Sequence, residues 1–273
     1  MSEKEKYYYP KGGLSSQRDI ASNRAIFKNS YALIPRTVMQ DIVVSYFPEW
    51  EKTRAWVLAR PMTGFSETFS QSIFEVYPDG GSKKPEPDDR IESIIFVVDG
   101  AVEIILDTKI HLLVAGSYVY IPPKFHWEIK NKTQFSARFH WIRKIYNLVE
   151  GIEVPEPFVK NEKDIEPDPI SKSDDVWSTT RFVDPFDLRH DMHVNIVNIK
   201  PGGAIPFMET HVMEHGIYIL QGKGVYRLNS DWVEVEAGDF IWLRAFCPQS
   251  CYAGGPEVFR YLLYKDVNRQ IAF

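Results

Sequence analysis

Cysteine is scarce in this chain. Only Cys247 and Cys251 occur among 273 residues. Two are too few for a disulfide scaffold, and their spacing is not that of a zinc knuckle, so a reducing cytoplasm is the expected setting. Both read as small buried hydrophobes. Basic residues are outnumbered: 32 Lys and Arg against 37 Asp and Glu leave a formal net charge of -5. No cationic stripe appears, which argues against nucleic acid as a partner. No apolar run is long enough to span a bilayer. The charged opening Met1-Ser2-Glu3-Lys4-Glu5-Lys6 has no apolar segment behind it, so no secretory leader is expected. Extended helical periodicity is missing as well.

What is present is a core-forming composition, 44% hydrophobic, carried on short apolar runs bounded by Pro, Gly or Asp. Ala55-Trp56-Val57-Leu58-Ala59, Ile73-Phe74-Glu75-Val76-Tyr77 and Ile94-Ile95-Phe96-Val97-Val98 each read as a β-strand. The glycines repeat at a constant shift of 122 positions: Gly80-Gly81 with Gly202-Gly203, Gly100 with Gly222, Gly116 with Gly238. At that register Val97-Val98 falls on Ile219-Leu220 and Arg143 on Lys265. A shift held across three turns marks two joined copies of one β unit. We therefore expect an N-terminal domain over 1–150, opening with an irregular or packed-down arm to about Gln17. A linker over 151–176 follows, rich in acids and carrying Pro155, Pro157, Pro167 and Pro169. A second domain spans 177–273. Such units form sandwiches, jelly rolls or closed barrels.

One stretch carries metal chemistry: Glu209-Thr210-His211-Val212-Met213-Glu214-His215-Gly216. In an extended strand alternate side chains share a face, so Glu209, His211 and His215 would point the same way. A helix would also align His211 with His215 but not Glu209. The β-rich Ile217-Tyr218-Ile219-Leu220 and the turn Gln221-Gly222-Lys223-Gly224 favour the strand. Two imidazoles and one carboxylate suit manganese, iron or zinc.

Pro201-Gly202-Gly203, the run Glu209 to His215, Gly222-Lys223-Gly224 and Ala237-Gly238-Asp239 together resemble the cupin superfamily. Because both halves carry the pattern, the chain resembles a bicupin, all-β with two tandem cupin (jelly-roll) barrels. Gln221 to Tyr226, Pro248-Gln249, Tyr264-Lys265-Asp266-Val267-Asn268-Arg269 and Asn23-Arg24-Ala25 narrow the likeness to the (S)-ureidoglycine aminohydrolase family. It is strongest over roughly the last 100 residues. The resemblance implies hydrolysis of (S)-ureidoglycine to (S)-ureidoglycolate and ammonia, a step of allantoin and purine degradation. It implies one manganese per chain, rather than iron or zinc, held by Glu209, His211, His215 and Gln249. It implies substrate contacts from Glu209, Gln249, Tyr261 and Lys265, with Lys265 and Glu209 the candidates for proton transfer. Tyr261 and Lys265 are four apart in one strand-like run and would share a face. The partners it implies are a small ureide and copies of the same chain in a homo-oligomer.

The remaining histidines carry less. His126 follows Pro122-Pro123-Lys124 without companions, His140, His190 and His193 have no spacing argument, and His111 reads as an exposed strand residue. Glu214, on the opposite face from the ligand set, reads as a supporting hydrogen-bond partner. At the 122 shift Glu209, His211, His215 and Gln249 fall on Pro87, Asp89, Ser93 and Trp127. The N-terminal barrel is therefore expected to hold no metal and to be filled by Ile94, Phe96, Tyr118 and Tyr120. Two rivals stand beside the hydrolase: an iron cupin dioxygenase, and a bicupin that binds a small molecule without catalysis.

Overall fold

The computed structural model describes residues 6–11, 24–38, 47–61, 64–171 and 174–267. Asn23, Asn268, Arg269 and positions 12–17 of the arm lie outside the described residues. In chain order the strands are β1 (Ile26–Phe27), β2 (Tyr31–Ile34), β3 (Glu51–Ala59), β4 (Phe69–Ser82), β5 (Ile91–Asp99), β6 (Ala101–Leu106) and β7 (Lys109–Val114). Next come β8 (Ser117–Ile121), β9 (Trp127–Lys130), β10 (Ala137–Ile145), β11 (Phe158–Asn161), β12 (Asp168–Ser171), β13 (Asp174–Arg181) and β14 (Met192–Ile199). The last six are β15 (His215–Gln221), β16 (Lys223–Leu228), β17 (Asp231–Glu236), β18 (Phe240–Leu243), β19 (Gln249–Ala253) and β20 (Phe259–Asp266). Among the described residues the helical segments are two single 3-10 turns, Arg36–Val38 and Glu162–Asp164. None is long and apolar enough to cross a membrane.

The chain divides into two compact units: one from Asp41–Arg60 and Thr68–Asp164, the other from Met1–Gln40, Pro61–Glu67 and Ile165–Phe273. The first has the strand order β11-β8-β5-β10-β4-β9-β6-β7, with β3 on β4. The second has β1-β2-β18-β15-β20-β14-β13-β12 and a small sheet β17-β16-β19. These boundaries differ from the expected ones. The arm belongs with the C-terminal unit, where Tyr7 is buried and the Tyr8 amide donates to the Leu220 carbonyl at 2.7 Å. Strand β2 pairs with β18. The expected linker is strand-forming: β11 pairs with β8 and β12 with β13. Pro169 fits there because β12 is an edge strand, where a missing amide donor costs no ladder bond.

The sequence repeat is a repeat of register. Ile95 pairs with Val119 and Trp141; 122 positions on, Ile217 pairs with Ile241 and Leu263. Ile104 faces Ile129 as Tyr226 faces Cys251. A slip of one residue would turn every side chain to the other face, so equal registers direct equivalent residues into each core. The turns agree as well. Gly100 and Gly222 have φ of +71° and +79°, and an added Cβ would lie 2.4 Å from the Ser136 carbonyl or 2.6 Å from that of Val258. Only glycine fits. Gly80-Gly81 departs from this pattern, because it lies inside β4 rather than in a turn. Along that strand the correspondence has slipped by one, Phe74 pairing with Phe139 as Val197 pairs with Tyr261.

The core of the N-terminal unit corrects one expectation. Ile95, Val97, Val119 and Ile121 form the central cluster with Phe74, Phe139 and Trp141. Ile94, Phe96, Tyr118 and Tyr120 are fully buried but on the opposite face. Both faces of β5 and β8 are covered, so alternation of polarity cannot distinguish them. Phe158 of β11 stacks on Tyr118 and Tyr120, with ring centroids 6.0 and 5.6 Å away. Inside, Trp127 packs edge-on against Trp141 at 5.9 Å, and Trp50 lies 5.5 Å from Trp141 and 4.7 Å from Phe74.

Candidate metal and substrate site

The C-terminal unit encloses a cavity of about 180 Å³, on the scale of a small polar molecule and below the usual range of drug-sized pockets. All six residues named for the site line it: Glu209, His211, His215, Gln249, Tyr261 and Lys265. They reach it from separate elements. His215 opens β15, Gln249 opens β19, and Tyr261 and Lys265 lie on β20. Glu209 is tied to Gln249 by reciprocal backbone hydrogen bonds, each 2.9 Å.

The run from Glu209 to His215 is not the continuous strand that its spacing suggested. It bends at Val212 and Met213, and only His215 belongs to a strand. The bend is held from outside, where the Phe246 amide donates to the His211 carbonyl at 2.6 Å. Even so, the His211 and His215 ring centroids are 5.2 Å apart, and His211 Nε2 lies 3.5 Å from Glu209 Oε1. Tertiary pairing has achieved what local alternation was expected to do.

This donor set suits a divalent ion. His215 Nδ1 lies 3.0 Å from the Glu214 carbonyl. A carbonyl only accepts, so Nδ1 carries the proton and the Nε2 lone pair is left for the cavity, the usual arrangement of a ligating histidine. Burial, with the nearby His211, holds the His215 imidazole down to about 3, so it stays neutral near pH 7. The 3.5 Å between His211 and Glu209 is close to the span of two donors each about 2.1 Å from one ion. Among the described residues no three His, Cys, Asp or Glu side chains already form a closed cage. The set consists of two imidazoles, one carboxylate and the Gln249 carboxamide, and it must draw in to bind.

Glu214 has the supporting place expected of it. Its Oε1 accepts from Trp242 Nε1 at 2.5 Å and from the Glu67 amide at 2.7 Å, while its own amide donates to Asp266 Oδ1 at 2.6 Å. Tyr261 is buried, and burial together with the neighbouring Cys251 raises its hydroxyl well above the usual range. It therefore remains a neutral hydroxyl. Burial pushes the Cys251 thiol up to about 12, in keeping with a small core residue. Burial, reinforced by Arg181 and opposed by Glu209, lowers Lys265.

Sequence reasoning missed a second wall. Trp177, Thr179 and Arg181 of β13 and Asn195 and Val197 of β14 also line the cavity. Their alternation was visible in the sequence, but the partner strand that brings them to β20 was not. His193 is the Cα partner of Lys265, and burial brings its imidazole down to about 4. The other histidines do not line the cavity: His126 is exposed, 3.7 Å from Glu128, His111 is half-buried on β7, His140 is fully buried in the N-terminal unit, and His190 is buried in the C-terminal one.

Residues 195–264 match the Cupin domain family. The chain is 31% identical over 258 residues to the (S)-ureidoglycine aminohydrolase of Escherichia coli K12, covering 93% of this chain and 95% of that protein. It is also 31% identical to that of Arabidopsis thaliana over 90% of this chain and 78% of the relative. Among solved structures, a protein of Pseudomonas aeruginosa described as glyoxylate-induced is 57% identical, covering 99% of each chain with a TM-score of 0.92. Oxalate decarboxylase of Bacillus subtilis, 13% identical with a TM-score of 0.66 over 88% of this chain and 78% of that one, shares the fold alone. With cupin architecture in both halves and this identity along almost its whole length, the chain belongs to the (S)-ureidoglycine aminohydrolase family of bicupins.

Proposed function

We propose that the protein hydrolyses (S)-ureidoglycine to (S)-ureidoglycolate and ammonia in the cavity of its C-terminal barrel. The observation that carries this reading is the convergence of Glu209, His211, His215, Gln249, Tyr261 and Lys265 on one small cavity in a chain of this family. The substrate's α carbon bears a carboxylate, an amine and a ureido group. In the reaction a water oxygen bonds to that carbon, the bond to the amine breaks, and the protons of water end on the new hydroxyl and on the departing ammonia.

Glu209, His211, His215 and Gln249 would hold one divalent ion, manganese by family likeness. When bound, such an ion polarises the donors of the substrate and steadies its negative charge. Two neutral imidazoles, a neutral carboxamide and a single carboxylate leave the site net positive. Lys265 offers a compact charge to the substrate carboxylate, and the neutral Tyr261 hydroxyl can donate a hydrogen bond. Glu209 and Lys265 remain the two candidates for moving protons. In the N-terminal barrel Trp127 and Trp141 occupy the places of Gln249 and Leu263, so that half is read as a metal-free brace.

The test is ammonia release from freshly generated ureidoglycine under anaerobic conditions, with metal analysis of the same preparation. Turnover without oxygen supports the hydrolase. Turnover that requires oxygen favours an iron dioxygenase, and binding without turnover or metal favours a non-catalytic bicupin.

A further inference from the structure

The two barrels, having one register, act as an internal control for each other. Along the inner face of the C-terminal sheet, Arg181 pairs with Asn195 and Asn195 with Leu263. In the adjacent row His193 pairs with Lys265 and Lys265 with His215. The corresponding rows of the N-terminal sheet read Val57, Ser72, Trp141 and Ser70, Arg143, Ser93. Arg143, the counterpart of Lys265, is held by a carboxylate of its own chain: Nε and one terminal nitrogen donate to Glu86 at 2.5 and 2.6 Å. Glu86 lies between β4, where the correspondence is 123, and β5, where it is 122, so its counterpart falls at Met208 or Glu209. In place of that two-bond pair the C-terminal barrel has Glu209, which acts on Lys265 but lies 3.5 Å from His211, and where its twin has Val57 it adds a second cation, Arg181.

Arg181 lines the cavity together with Lys265 and Asn195. Its Nε is buried and, among the described residues, has no hydrogen-bond acceptor. Asp168 Oδ2 stands 3.6 Å from that nitrogen on a side chain 65% exposed, and a pair so open to water contributes little. Glu209, the one acidic residue among the described residues that line the cavity, lies against His211. Two cations beside a single committed carboxylate leave room for an anion from outside.

We propose that Arg181 is a substrate-binding residue that, with Lys265, clamps the carboxylate of the ureide, Asn195 lying between the two as a carboxamide partner. A guanidinium suits this role because its fork matches both carboxylate oxygens. The clamp rests on the reading of the cavity as a ureidoglycine site, and the experiment separates the two. Arg181→Gln and Arg181→Lys are compared with wild type in ammonia release, bound metal and competition by two stable probes. N-carbamoylglycine keeps the carboxylate and the ureido group; N-methylurea keeps only the ureido group.

In Arg181→Gln we expect KM and the inhibition constant of N-carbamoylglycine to rise roughly 10- to 100-fold, the scale of losing one charge-assisted pair. N-methylurea inhibition and metal content should stay within about twofold of wild type, because neither involves the guanidinium. Arg181→Lys should recover part of the loss. An unchanged N-carbamoylglycine constant overturns the clamp, as does equal weakening of both probes. A wild-type protein that releases no ammonia overturns the activity instead, and calorimetric binding of the two probes then still decides the clamp.

Discussion

Glu214 does not touch the cavity, yet its replacement should damage the site, and the size of the effect can be worked out. Its side chain is buried and its Oε1 accepts two hydrogen bonds, from the Trp242 indole at 2.5 Å and the Glu67 amide at 2.7 Å. Glu214→Leu has a similar volume but no acceptor, so it leaves two donors without this partner. The Trp242 indole is a buried donor, and orphaning it costs about 1–3 kcal/mol, whereas the Glu67 amide belongs to an exposed residue that water can reach. At about 2–4 °C per kcal/mol for a domain of this size, the melting midpoint should fall by about 2–12 °C. Trp242 is itself a reporter, so the melt can be followed by its fluorescence. The Glu214 carbonyl also fixes the His215 ring through Nδ1, and displacing such a support typically weakens metal affinity by roughly 10–100-fold. Glu214→Gln keeps an oxygen acceptor and should cost only about 1–2 kcal/mol. If Glu214→Leu melts within about 2 °C of wild type and titrates manganese normally, the reasoning about this support is wrong.

Three further outcomes are expected. Lys265→Met should lower kcat/KM by roughly 10–100-fold while bound metal is unchanged; unaltered kinetics would return Lys265 to a structural role. Metal analysis should find one manganese per chain in the wild type and almost none in His211→Ala; two ions per chain, or full occupancy in the variant, would exclude this ligand set. His140, held down to about 3 by burial, should make the protein acid-labile. Its folded value lies below the unfolded one of about 6.5, so its stabilising contribution is complete above that pH and is lost as pH falls toward 3. The slope is up to about 1.4 kcal/mol per pH unit. Urea unfolding of His140→Gln across this window should be less pH-dependent than that of wild type, and an identical slope would remove His140 as the cause.

Much of this architecture is legible in the sequence alone. Glycine at Gly100 and Gly222 is dictated by positive φ and by a carbonyl where a Cβ would sit. Turns of that kind recur in sequence whenever a unit is duplicated, so the repeat, its register from β5 onward and the β class could be read directly, whereas the one-residue slip along β4 could not. The types of donor at Glu209, His211 and His215 were equally plain, because ligand chemistry belongs to the residue. Orientation was harder to read. In β5 and β8 both faces are buried, so the pattern carries no inward or outward mark, and the expectation of Ile94 and Tyr118 inside chose the wrong face. The polar segment after Val149 looked like a linker because polarity does not distinguish an edge strand from a loop. Its pairing depends on a partner far away in the chain. The same holds for the arm, tied through Tyr8 to Leu220, and for β2, paired with β18; neither attachment has a local signature. The cavity itself was decided in three dimensions. Residues Glu209 and Gln249 meet through a backbone bridge, the chain bends between His211 and His215, and β13 brings Arg181 and Trp177 to the cavity that Tyr261 and Lys265 also line. Local spacing governs which side chains one strand can present, whereas only the packing of strands distant in sequence determines which of them share a cavity.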